Sequence, residues 1–161
     1  MSEDYLIRHI AMLRQLIRQA LGLREEGHFT QALRISMQGL EQLFARPLVD
    51  FTHLDIEKQL ALLSFQETQE NAREKHLGYA LLLREAGLCY WELERRDLAF
   101  SAFELALHVS LRTAALDEKK DEELGELIVE LVSKLPQDSL HAPTRELLAL
   151  WEKKNAPGSE I

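Results

Sequence analysis

An all-α fold, a stack of antiparallel helical hairpins with about six or seven helices, is what this sequence predicts, and three observations predict it. Apolar residues return at three- and four-residue steps along most of the chain, the period of a helix with one buried side. Only 7 Gly and 4 Pro interrupt the 161 residues, so positions that break helices are few and fall between the periodic stretches. A spaced pattern also occurs twice. Leu16, Ala20, Leu23, Gly27, Phe29, Ala32, Gly39 and Leu40 are matched, 67 residues later, by Leu83, Gly87, Tyr90, Glu94, Arg96, Ala99, Ala106 and Leu107.

From Glu3 to Glu26, the residues Leu6, Ile10, Leu13, Ile17, Ala20 and Leu21 recur on one side of a helix. Tyr5, Met12, Leu16 and Leu23 widen that side to about half the circumference, more than the roughly 100° stripe that one neighbour requires. This helix is therefore expected to touch more than its hairpin partner. Gly27 ends it, because glycine takes up left-handed backbone without a Cβ clash. A second helix over 30–45 carries Ala32, Ser36 and Gly39 as a row of small side chains, which predicts close approach to the first helix.

Residues 46–55 hold Pro47, Asp50, Thr52 and Asp55 without a helical period and read as a connection, after which Asp55 caps a short helix through Phe65. The next helix, 67–93, is apolar on most of its girth and is expected to be central. Its partner over 97–116 repeats the small row with Ala99, Ala102 and Ala106. A helix over 121–135 presents Leu124, Leu127, Ile128, Leu131, Val132 and Leu135 on one face and ends at Pro136. Burying such side chains contributes roughly 1.5 to 3 kcal/mol each, enough to dock that helix. Asp138 or Ser139 is expected to cap a last helix anchored by Leu147, Leu148, Leu150 and Trp151. One domain over 1–154 and a flexible tail over 155–161 complete the division.

The formal net charge of −8 argues against nucleic acid, whose binding draws on Lys and Arg that displace counterions. Basic and acidic residues number 6 and 5 over 1–46, 8 and 13 over 47–119, and 5 and 9 over 120–161, giving +1, −5 and −4. Only the N-terminal hairpin is not acidic. The single cysteine, Cys89, lies in an apolar helical stretch and reads as a small buried residue of a reducing compartment. With no leader pattern and no apolar run near the roughly 18 residues that cross a bilayer, a cytoplasmic location is expected, without membrane contact.

The two hairpins, over 16–40 and 83–107, resemble tetratricopeptide units, whose period is about 34 residues, and the offset of 67 is nearly two periods, with a degenerate unit between them. More loosely, the whole chain resembles a bacterial family of short tetratricopeptide-like proteins of unknown function that open on a Tyr-Leu-Ile-Arg-His-Ile type of helix, here Tyr5 to Ile10. The second hairpin departs from the pattern, with Glu94 at the customary glycine and Arg96 at the customary aromatic. The resemblance implies a protein or peptide partner lying along the first helix of each hairpin, against Arg14, Ile17, Leu21, Arg24, Leu81, Arg84, Leu88 and Trp91. Ile17 and Leu21 stand where carboxylate-gripping relatives use Lys and Asn, which favours an apolar contact flanked by Arg, such as an amphipathic helix or a second copy of the chain. The alternative is that the middle segment or the C-terminal helices cover these apolar residues.

Little else suggests chemistry. Glu25 with His28 and Asp50 with His53 have ligand-like spacing but fall at a turn and in a connection, so no metal site is assigned. His9 lies on the apolar side of the first helix and receives no role, Glu104 and His108 can pair at i, i+4, and Arg8, Arg14 and Arg18 form a solvated row able to meet an acidic surface of another copy. No catalytic residue and no cofactor is assigned. A non-enzymatic interaction module is the leading expectation, a self-associating structural homodimer the alternative, and a small-molecule or metal-binding enzyme a distant third.

Overall fold

The computed structural model describes residues 3–156, with side chains from Ile7 onward. Among the described residues are seven α-helices and no strand: α1 (Glu3–Glu25), α2 (Phe29–Phe44), α3 (Ile56–Ser64), α4 (Gln69–Glu92), α5 (Arg96–Leu116), α6 (Glu122–Ser133) and α7 (Ala142–Lys154). Short 3-10 turns occupy Leu48–Asp50 and Gln137–Ser139. The expected tail begins within the described part, where Asn155 donates back to the Trp151 carbonyl; its residues 157–161 lie outside the described residues.

Both long hairpins turn in the same way. Gly27, at φ 84°, lets the His28 N–H reach the Leu23 carbonyl at 2.8 Å and its own N–H reach Arg24 at 3.0 Å. At the matching place, the Arg95 N–H reaches Tyr90 at 2.8 Å and the Glu94 N–H reaches Trp91 at 3.1 Å. Glu94 adopts φ 61° to do so, a left-handed backbone that a side chain disfavours.

The hairpins stack directly. α2 lies against α4 about as extensively as against α1, while α1 also touches α4, which accounts for part of the excess apolar width of α1, Met12 staying exposed. The connecting segment 45–68 supplies only α3, which leans on α4 and the edge of α2. No second-rank hairpin therefore separates the two units; the 67-residue offset comes from one short inserted helix and its flanking loops. The α5 helix then carries both α6 and α7.

Local chemistry sets three of the helix starts. Asp55 accepts from the Lys58 N–H at 2.9 Å, Thr68 from Asn71 at 3.1 Å and Asp121 from Leu124 at 3.1 Å, each holding an otherwise unsatisfied donor of the first turn. The start of α7 differs from expectation. Asp138 and Ser139 lie in the 3-10 turn, and the His141 N–H at the head of α7 is held instead by the Glu104 carboxylate of α5 at 3.2 Å. Gly39 also differs, because a Cβ there would lie 2.7 Å from Leu82 Cδ2, so it admits α4 rather than α1. Gly87 is tighter still, 2.5 Å from the Phe103 ring of α5.

The core runs through all layers. Leu82, Phe103, Leu107, Val109, Ile128 and Leu131 are fully buried. Phe44 stacks on Phe51 with centroids 4.0 Å apart and meets the edge of Tyr79 at 5.1 Å, and the Tyr79 hydroxyl donates to the buried Gln59 side chain. Among the described residues no helix is long and apolar enough to cross a membrane.

Candidate functional site

Ion pairs fix the relation of α1, α4 and α6. Arg14 meets Glu74 at 3.2 Å and Arg24 meets Glu85 at 2.6 Å, separations of 60 and 61 residues. Arg73 meets Asp121 at 2.7 Å and Arg84 meets Glu130 at 2.7 Å, separations of 48 and 46. Nearly constant separations mean that the three helices run parallel and in register, a ladder laid across one face of the stack. Glu85 is the deepest member, its side chain 3% exposed, and it also accepts from Arg84 at 3.0 Å. These bonds raise the Arg24 guanidinium pKa through Glu85 and the Arg84 pKa through Glu130, and Arg84 holds the Glu130 carboxyl below its usual range.

The eight residues singled out in the sequence divide on this face. Arg24 and Arg84 come together around Glu85, while Arg14 stands at the outer end with its side chain 62% exposed. Ile17, Leu81 and Leu88 are half-buried against the core, and Leu21 is half-buried beside them in α1, so this strip is neither bare nor covered. Trp91 stands apart, edge-on to Phe100 of α5 at 5.7 Å and capped by the Arg96 guanidinium 3.4 Å from its ring centre. The sequence reading missed Glu74, Glu85 and Glu130. A lone acid among the apolar positions of α4 is the signal that points to Glu85. Gly78 of α4 is buried, yet a Cβ there would meet nothing within 4 Å, which leaves a notch between the rungs at Glu74 and Glu85.

Other titratable groups are spoken for structurally. Glu104 and His108 do not pair with each other: Glu104 holds the His141 ring at 2.6 Å, and His108 bridges Thr144 at 3.0 Å and Glu57 at 3.1 Å. Burial, then the Lys75 charge, lowers the His9 pKa, and burial lowers that of His76, which contacts the Ser64 hydroxyl at 3.0 Å. Burial pushes the Cys89 thiol up to about 11. No cluster of three or more His, Cys, Asp or Glu able to hold a metal occurs among the described residues.

Beyond the ladder, a cleft of about 810 Å3 opens between the α5–α6 loop, α6 and the end of α7, lined by Leu124, Val129 and Trp151, with Glu122 and Glu126 on α6 and Lys119, Lys120 and Lys154 on the loop and α7. The molecule is thus a helical stack with one ladder-bound face and one open end. Comparison with protein-family models, with curated proteins and with solved structures finds no match to this chain.

Proposed function

We propose that the chain is a non-enzymatic, cytoplasmic protein-interaction module of the tetratricopeptide-like kind, which holds a partner along the face made by α1, α4 and α6. The observation that carries this reading is the half-buried strip of Ile17, Leu21, Leu81 and Leu88 between ion-pair rungs that fix its two walls. A pre-formed apolar strip loses little conformational entropy on binding. With Arg24 and Arg84 already paired internally, affinity comes from apolar contact and the notch at Gly78, and the exposed Arg14 contributes steering.

The test is a pull-down from native lysate with wild type, Leu21→Arg and Trp91→Ala, with helix content checked by circular dichroism. A partner retained by wild type and lost by folded Leu21→Arg supports the face. Trp91→Ala separates the strip from the hairpin tip: if Trp91 belongs to the contact, its loss costs about 2 kcal/mol or more of affinity. Equal capture by wild type and folded Leu21→Arg rules the strip out.

A further inference from the structure

Two helix faces at opposite ends of the stack, the outer side of α1 and the exposed side of α6, carry opposite charge and exposed aliphatic side chains. From Tyr5 through Arg24 the chain has four arginines and no acid, whereas α6 has four glutamates and no base. Arg14, Arg24 and Glu130 are engaged within the chain. Arg8 and Arg18 remain on the outer side of α1 beside Ile7 and Met12, which are 61% and 46% exposed. At about 100° per residue these four fall within about 140° of arc. Glu122, Glu126 and Val129, the last 59% exposed, fall within about 60° on α6 and border the cleft that Trp151 closes from the other side.

The α1/α2 hairpin is the first layer and α6 with α7 the last, so no further layer among the described residues covers either surface. Stacked helical proteins ordinarily need a polar outer face on their terminal layers. Here both terminal layers expose aliphatic side chains.

We propose that the chain associates head to tail, the outer side of α1 of one copy seated on α6 and the cleft of the next. Ile7 and Met12 enter beside Val129 and Trp151, and Arg8 and Arg18 face Glu122 and Glu126. The two surfaces differ, so the contact is heterologous: each added copy leaves one of each surface open, and growth continues past two chains unless a ring closes. The strip of Ile17, Leu21, Leu81 and Leu88 takes no part, so this inference stands independently of the proposed partner face.

Sedimentation velocity of the full chain from micromolar to sub-millimolar concentration tests it, with Ile7→Glu and Val129→Glu as variants at exposed positions and circular dichroism confirming their fold. Wild type is expected to grow beyond two chains and to shrink in high salt. Each variant alone stays monomeric, and their equimolar mixture forms a pair that grows no further, through the one intact surface each retains. A second set, Arg8→Glu with Arg18→Glu against Glu122→Lys with Glu126→Lys, should lose association singly and regain it when mixed. Wild type monomeric throughout overturns the proposal. So does a dimer abolished by Ile7→Glu yet indifferent to Val129→Glu, which would be a symmetric α1 contact, or association lost only with Leu21→Arg.

Discussion

Arg24 and Glu85 form the tightest tie between the first two layers, Nε to Oε2 at 2.6 Å, with the carboxylate almost sealed from solvent. Glu85 is shared, since Arg84 draws on its other oxygen. Removing one partner of a buried pair costs about 3 to 5 kcal/mol, because the remaining charge keeps its desolvation penalty. Glu85→Ala is expected at the lower end, near about 3 kcal/mol, as both arginines retain some solvent. The exposed Arg14–Glu74 pair is the contrast, and Arg14→Ala should change stability by less than about 1 kcal/mol. Urea unfolding of both variants decides, and equal losses would mean that the ladder is only a surface feature.

Glu94 holds the backbone that its counterpart Gly27 holds at the other hairpin turn. Left-handed backbone costs a non-glycine residue about 1 to 2 kcal/mol, partly offset because glycine has more freedom to lose from the unfolded chain. Glu94→Gly should therefore stabilise the protein by up to about 1 kcal/mol, and Gly27→Ala should destabilise it by a similar amount. Thermal melts showing the opposite signs would remove the turn equivalence.

Two glycines of α4 should respond to alanine in opposite directions. At Gly87 the new methyl meets the Phe103 ring at 2.5 Å, and overpacking of this kind costs about 1 to 3 kcal/mol. At Gly78 it enters open space, and alanine's better helix propensity should gain about 0.5 to 1 kcal/mol. Chemical denaturation of the two variants side by side gives the signs.

Acid should weaken the fold in two stages. His9 and His76 are held below their ordinary value of 6.5 by burial, so below that value the unfolded chain takes up protons that the folded chain resists, and stability falls. Asp121 is held below the usual carboxylate range by the Leu124 N–H and Arg73, and Glu130 by Arg84. Their contribution is complete above the ordinary carboxylate pKa and is lost as pH falls through the folded values. Unfolding free energy measured from about pH 7.5 to 3 should show both declines. His76→Phe should flatten the upper one and Asp121→Asn the lower; a stability independent of pH across the histidine range would contradict the first.

The helices were legible because each carries its own period, and Asp55 could be read as a cap because a cap acts three residues away. What lay beyond local reach was not. Glu104 caps α7 from 37 residues upstream, and Glu130 engages Arg84 across 46. No periodicity encodes such pairings. Arg24 and Arg84 could therefore be placed on a common face while their partner Glu85 stayed hidden, and Gly39 could be recognised as a close-contact position while the wrong helix was expected against it. The resemblance set Trp91 beside the strip, but ring contacts with Arg96 and Phe100 decide its surroundings.

The single helix spliced between two touching layers bears on the order of folding. Each long hairpin closes across a few residues, at 26–28 and 93–95, whereas bringing α2 onto α4 requires residues 45–68 to close as a loop. Closure entropy grows by only about 0.6 kcal/mol for each doubling of loop length, so the detour is thermodynamically mild. Kinetically it separates local from distant steps. The hairpins are expected to form first as independent units and to dock second. α3 leans mainly on α4, a short loop downstream, and completes its seat against the edge of α2 once the hairpins dock, as a latch on the joint.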